Sequence, residues 1–239
     1  MENNASLDKV LCPDPNGTLL LAGDLARVES TSLFINTLRT CCGKFNKVIF
    51  VPGNHEYYCI RHKESMPNIF RSIKSLAKNL ENLIVLDNEY YTIGNIIIYG
   101  STFWSYASES WRQIPIYVGK KGKERLITNH EYNELHFKSL IALEKAIKVA
   151  EEQNKKMVVV THYPPTAKGT MDPKYQNSSN KSMYYSHSDH ILENKVIIKW
   201  IFGHSGTNSR YERREGVYEK LLTNQAVEKD FRNPLILII

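Results

Sequence analysis

An α/β domain is the fold class that this sequence of 239 residues predicts. Three observations carry the prediction. Apolar runs of strand length alternate with segments of helical period. No internal repeat and no Gly/Ser/Pro-rich linker interrupts them, so one domain over residues 1–239 is expected. Four of the apolar runs also end alike, each breaking into a turn that holds a potential metal ligand or acid–base group. Leu19–Ala22 leads to Gly23-Asp24, and Val48–Val51 to Pro52-Gly53-Asn54-His55-Glu56. Val158–Val160 leads to Thr161-His162, and Trp200–Phe202 to Gly203-His204. In open α/β sheets the carboxyl ends of the strands face the crevice where ligands bind. Four such endings therefore point to one shared crevice.

Taken in order, residues 1–18 carry Pro, Asn, Gly and Asp with no apolar period and read as an irregular N-terminal arm. Leu19–Ala22 is the first strand. Leu33–Cys41 has helical spacing, with Thr31 or Ser32 placed to cap it. Lys47–Val51 is the next strand, so the strand–helix–strand order implies a parallel pair with a right-handed crossover. Met66–Leu80 places apolar residues at 66, 69, 70, 73, 76, 77 and 80, an amphipathic helix. Leu83–Leu86 is a short strand. Tyr90–Ile93 and Ile96–Tyr99 flank Gly94-Asn95, a two-residue hairpin signal. Ser101–Tyr117 reads as an irregular loop near the crevice, and Asn133–Glu151 as a long helix. Met157–Val160 and Val196–Phe202 are further core strands. The polar segment Pro164–His190 is too long for an idle connection and reads as a lid or binding segment. Leu235–Ile239 is expected to form a terminal strand.

Composition narrows the classes of function. Hydrophobic residues at 42% and charged residues at 23% suit a globular domain, not a disordered chain. No apolar run approaches the roughly eighteen residues that span a bilayer, so no membrane partner is expected. The first twenty residues lack a basic segment followed by an apolar one. Cys12, Cys41, Cys42 and Cys59 lack metal-finger spacing and read as reduced structural thiols. A cytoplasmic protein is the expectation. The net charge of +6 favours anionic ligands. Its densest clusters, Lys120–Arg125 and Arg210–Arg214, have no interleaved aromatics and read as solvated surface. The charge permits a nucleic-acid partner without requiring one.

Asp24, Asn54, His162 and His204 together offer a carboxylate, an amide oxygen and two imidazoles. That mixture suits Mn, Fe or Zn better than a purely oxygen-seeking ion. A metal so held can polarise a phosphoryl oxygen and acidify a bound water. His55, adjoining Asn54, could protonate a leaving alkoxide without coordinating the metal.

The ordered set Gly-Asp, Gly-Asn-His-Glu, Thr-His-Tyr-Pro-Pro and Gly-His resembles the calcineurin-like metallophosphoesterases. So does the run Tyr132-Asn133-Glu134-Leu135-His136, and the likeness spans Leu19 to nearly the end of the chain. It implies a two-layered β-sandwich flanked by helices, with a two-metal site along one edge. Carried over by position, Asp24 resembles the carboxylate that bridges two metals. Asn54, His162 and His204 match the other ligands of one of them. His55 matches the histidine that contacts the substrate phosphate and assists the leaving group, with Asn54 beside it facing substrate.

The likeness departs in two places. The family opens on an Asp-x-His strand upstream of Gly-Asp, whereas no histidine precedes position 55 here, so the first family strand is expected to be missing. The family closes on Gly-His-x-His, whereas this chain reads Gly203-His204-Ser205-Gly206. All the departures fall on ligands of the same metal. One ion is therefore expected rather than two. The reading is a divergent, weakly active phosphoesterase acting on a phosphomono- or phosphodiester of small-molecule type. The alternative is an inactive relative that binds a phosphorylated ligand or a protein partner, and a nucleic-acid phosphodiesterase stands third.

Several residues keep two readings. His187 and His190 could swing into the depleted side of the site or simply be solvated. Tyr163, Tyr184 and Tyr185 could stack on a base or line the loop. Glu56 could orient His55 or cap the segment after it. His136 is expected to be a structural partner near the helix start, and His62 and His130 to lie on the surface.

Overall fold

A computed structural model of the chain describes residues 11–28, 31–108, 111–171, 175, 177–205 and 216–223. Three parallel strands form the first sheet: β1 (Asp14–Ala22), β2 (Phe45–Val51) and β3 (Leu83–Val85), in that spatial order. Helix α1 (Thr31–Lys44) connects the first pair and α2 (Met66–Ala77) the second. The hairpin β4 (Glu89–Ile93) and β5 (Ile96–Ser101) turns at Gly94-Asn95 as expected. A two-residue ladder, β6 (Tyr117–Val118) with β7 (Arg125–Leu126), precedes the long helix α3 (Asn129–Glu152). Strands β8 (Lys156–Thr161), β9 (Ile197–Phe202) and β10 (Leu221–Leu222) follow. The second sheet runs β10-β9-β8-β5-β4, parallel except for its hairpin edge.

Side-chain alternation explains why the two sheets stack. On β2, Ile49 and Val51 face inward and pack with Ile98 of β5 and Val158 and Val160 of β8 in one buried cluster. The intervening Val48 and Phe50 face outward into a second cluster, with Phe34 and Leu38 of α1 and Ile69 and Ile73 of α2. On the far side, Ile97, Tyr99, Met157, Val159 and Trp200 pack with Leu143, Ala146 and Ala150 of α3. The result is the helix-flanked β-sandwich that the resemblance implies. Gly100 marks a close approach of the layers. A Cβ there would meet Leu86 Cβ at 2.5 Å and a methyl of Val51 at 2.8 Å.

Strand β1 reaches back to Asp14, so residues 14–18 of the expected irregular arm are strand, with a register irregularity between Asp14 and Thr18. Its apolar signal begins only at Leu19, because the earlier residues lie on an exposed edge. Helix α3 starts four residues before the expected Asn133, at a capping box in which the Thr128 side chain and Glu131 satisfy each other's backbone N–H groups. The basic cluster Lys120–Arg125 lies between and on the strands of the β6–β7 ladder. The expected strand Leu235–Ile239, the cluster Arg210–Arg214 and Gly206 lie outside the described residues.

Candidate metal centre

Both sheets end in the same cleft. Asp24 follows β1, Asn54 and His55 follow the adjacent β2, and His162 and His204 follow the adjacent β8 and β9. Main-chain bonds tie the ends of the second sheet's strands together at this edge. His162 N donates to Ser101 O, and Gly203 N donates to His162 O. The Thr102 hydroxyl donates to Pro52 O, tying the second layer to the turn after β2.

The turns are shaped by how close the chains run. Gly23 has φ of 82°, and a Cβ there would sit 2.5 Å from Gly53 N and 2.6 Å from His162 Nδ1. A side chain at Gly53 would strike the Asp24 carboxylate. Asp24 itself has φ of 56° and His204 has φ of 63°, a left-handed backbone that costs a non-glycine residue about 1–2 kcal/mol. Such strain concentrates at functional sites, where the surroundings enforce it.

Four side chains converge. Asn54 Oδ1 lies 2.8 Å from His162 Nε2 and 3.0 Å from His204 Nδ1. The two ring nitrogens are 3.2 Å apart, and Asp24 Oδ2 is 3.3 Å from His162 Nε2. His162 is fully buried, whereas the Asp24 side chain is 28% exposed at the cleft rim. His162 Nδ1 faces the carbonyl of Ala22 at 2.8 Å, which fixes the ring and turns Nε2 toward the cluster. Among the described residues, Asp24, His162 and His204 form the one group of three metal-ligating side chains of His, Cys, Asp or Glu type. A divalent ion with N and O ligands at about 2.0–2.2 Å sets adjacent ligand atoms about 3.0–3.5 Å apart. The observed spacings are close to those of a coordination shell, so the residues fit such an ion.

Electrostatics agree with a seat for positive charge. Desolvation works against the Asp24 carboxylate, but His162, His55 and His204 outweigh it and hold the carboxyl well below the usual range. Burial likewise opposes charge on His162, yet Asp24 holds its ring above the ordinary histidine value. Burial and the neighbouring His162 push His204 down to about 3. Tyr163 backs the cluster, its ring centroid 3.9 Å from that of His204.

His55 occupies a short 3₁₀ turn, His55–Tyr57, that begins at Asn54. Its backbone N–H donates to Asp24 Oδ1 at 3.0 Å, while its exposed ring stacks on Tyr58 with centroids 4.9 Å apart. Asn54 Nδ2 donates to the Tyr58 hydroxyl at 2.8 Å. Glu56 neither orients the His55 ring nor caps the following segment. It is fully buried and accepts backbone N–H groups from Gly53 (2.6 Å), Leu25 (2.7 Å), Asp24 (2.9 Å) and Ala26 (3.3 Å). Burial and the Asp24 charge push its carboxyl up to about 7, against four donors that favour the ionised form. The neighbouring Tyr57 hydroxyl donates to Asp87 Oδ2.

The remaining candidates fall outside the cluster. His187 and His190 are exposed, and the His187 ring lies against Tyr185, with centroids 4.0 Å apart. Tyr184 pairs with Tyr175 in a parallel stack at 5.1 Å. His136 is the expected structural partner, buried with Nδ1 2.8 Å from Trp104 O. His62 and His130 are on the surface. The segment Pro164–His190 closes on itself, with Ser186 N donating to Pro164 O and Ser188 N to Pro165 O, and the Ser105 hydroxyl ties it to the body by donating to Met183 O. Sequence reasoning passed over Tyr58 and misread Glu56. The one sequence signal for either is a tyrosine four residues after Asn54, within reach of its side chain.

A sandwich of this topology with a carboxylate–amide–imidazole cluster at its strand ends defines a metallophosphoesterase-type domain. The family model for calcineurin-like phosphoesterases matches residues 2–207, and the chain belongs to that family. It is similar to an uncharacterised protein of Acanthamoeba polyphaga mimivirus, 28% identical over 215 residues that cover 83% of this chain and 75% of the relative. Its fold is similar to that of a phosphopantetheinyl hydrolase from Mycobacterium tuberculosis, with a TM-score of 0.57. The two share 16% identity over 90% of this chain and 80% of the other, a likeness of fold. No helix among the described residues is long and apolar enough to cross a membrane.

Proposed function

We propose that this chain is a metal-dependent phosphoesterase of modest activity, working as a single domain with one well-formed metal site on a small-molecule phosphomono- or phosphodiester. The observation that carries the reading is the convergence of Asn54, His162, His204 and Asp24 within 2.8–3.3 Å. Asp24, Asn54, His162 and His204 would hold the ion, with Mn, Fe or Zn suited to that donor set. When bound, the ion would supply charge that polarises a phosphoryl oxygen and lowers the pKa of water.

The chain's own residues supply the rest. His55 would present its exposed imidazole to the phosphate, whereas Asn54, expected to face substrate, is buried with its amide turned to the cluster and to Tyr58. The exposed His55 ring would deliver its proton to the leaving alkoxide oxygen, a step worth roughly 10²–10⁴-fold. Its backbone N–H meanwhile holds Asp24 in place.

A specific observation keeps a second reading in play. Gly206 stands where the family has its last histidine, so a binding protein without turnover fits the same fold. The experiment is metal analysis followed by assay on an aryl phosphodiester. About one equivalent of metal after Mn, Fe or Zn supplementation is expected, and substantially less would overturn the one-metal reading. His55→Ala should lower turnover on the order of 10²-fold or more with metal content unchanged. If wild type and Asp24→Ala are equally inert with every metal, the binding reading replaces the enzymatic one.

A further inference from the structure

We infer that Tyr58 is a positioning residue for both working side chains of the turn after β2, orienting Asn54 with its hydroxyl and His55 with its ring; this rests on the functional reading above. The placement follows from the turn itself. In a 3₁₀ turn, residues three apart eclipse one another. Tyr58, which ends the turn, lies three residues after His55 and so stacks under its ring, and it lies four after Asn54, within reach of that side chain.

The two interactions use different parts of the same side chain. The Asn54 amide has one end for the cluster and one for Tyr58. Its oxygen sits 2.8 Å from His162 Nε2 and 3.0 Å from His204 Nδ1, while its NH₂ donates to the Tyr58 hydroxyl at 2.8 Å. Asn54 is buried, so an amide without that acceptor would leave a donor unsatisfied and free the plane to rotate. His55 is exposed, and the stacked Tyr58 face, 4.9 Å away and tilted by 29°, is what limits where its ring can point. The guanidinium groups of Arg27 and Arg112 bear on the Tyr58 hydroxyl as well. Asn54 thus holds its oxygen toward the metal seat, and His55 holds its ring over the cleft, through one shared neighbour.

The two roles separate by substitution. Tyr58→Phe deletes the hydroxyl and keeps the ring; Tyr58→Leu deletes both. Cobalt(II) affinity, read from visible absorption, reports on the Asn54 oxygen. The ring-proton resonances of His55, shifted by the stacked aromatic, report on its placement. For Tyr58→Phe we expect a loss of cobalt affinity on the order of 10–100-fold, as for other residues that orient ligands, with His55 resonances near their wild-type positions. For Tyr58→Leu we expect the same loss together with movement of the His55 resonances to those of a free imidazole. A stabilising role without positioning would lower the unfolding temperature of both variants and leave cobalt affinity and spectrum alone, which would overturn the inference. Tyr58→Phe binding cobalt as tightly as wild type would do the same. Wild-type protein that takes no cobalt would instead overturn the functional reading, and with it the metal half of the inference.

Discussion

The Glu56 carboxylate gathers N–H groups from the two loops that follow the paired strands β1 and β2, Gly53 on one side and Asp24, Leu25 and Ala26 on the other. That grip sets the backbone from which the Asp24 side chain departs, and it offsets the cost of the left-handed conformation there. Glu56→Gln keeps the size but supplies one acceptor oxygen in place of two, and aims an NH₂ at backbone donors. Each buried donor left unsatisfied costs about 1–3 kcal/mol. At pH 8, where the wild-type carboxyl is ionised, the variant should lose at least that much stability in urea unfolding, and metal content should fall with it. An unchanged urea midpoint would refute the clamp. At this scale the ligand candidates were legible, because Asp24, Asn54, His162 and His204 each follow an apolar run that could be read as a strand. Glu56 was not, since a glutamate inside a polar turn looks the same in sequence whether it faces solvent or four backbone amides.

Elements were legible in proportion to how much of their signal is local. β2, β5, β8 and β9 announce themselves by runs of β-branched and aromatic residues buried on both faces. β6, β7 and β10, two residues each, have no period to read and exist through their partners. The start of α3 carries a local signal of its own, distinct from its apolar period. Thr128-Asn129-His130-Glu131 is a capping-box sequence, and the helix begins there rather than at the first apolar residue. Thr128→Ala should therefore cost about 1 kcal/mol. Hydrogen bonds from the Arg125 side chain and the Thr128 backbone hold the Glu131 carboxyl down to about 2. Its ordinary value is 4.5, so the unfolded chain takes up the proton first as pH falls. The stabilisation is thus fully present above about pH 4.5 and fades as pH drops toward about 2. The stability gap between wild type and Glu131→Gln, followed by thermal unfolding, should narrow over that window. A gap that stays constant would refute the assignment.

For the whole molecule, the sandwich itself was beyond what periodicity could provide. Alternation shows that a strand has two faces, not which sheet it joins, and the layer order came from the resemblance alone. What holds the layers at their spacing is visible only in three dimensions. Gly100 admits Leu86 and Val51 into the space a side chain would occupy. Gly100→Ala should force the sheets to shift, at a cost of about 1–3 kcal/mol. A melting temperature equal to wild type would show that the interface gives way freely.

The donors of the candidate metal cluster are drawn from both layers, and Asn54 and His204 stand 150 residues apart in the chain while their side chains meet at 3.0 Å. During synthesis, the first of these residues leaves the ribosome long before the last. Asp24 and Asn54 meet the first imidazole, His162, only once β8 has docked beside β5, and the second, His204, only once β9 has docked beside β8. Any ion this cluster takes is therefore captured late, after most of the chain has been made. The availability of metal to a nearly finished protein, rather than to a nascent one, would then decide how much this candidate site could take up.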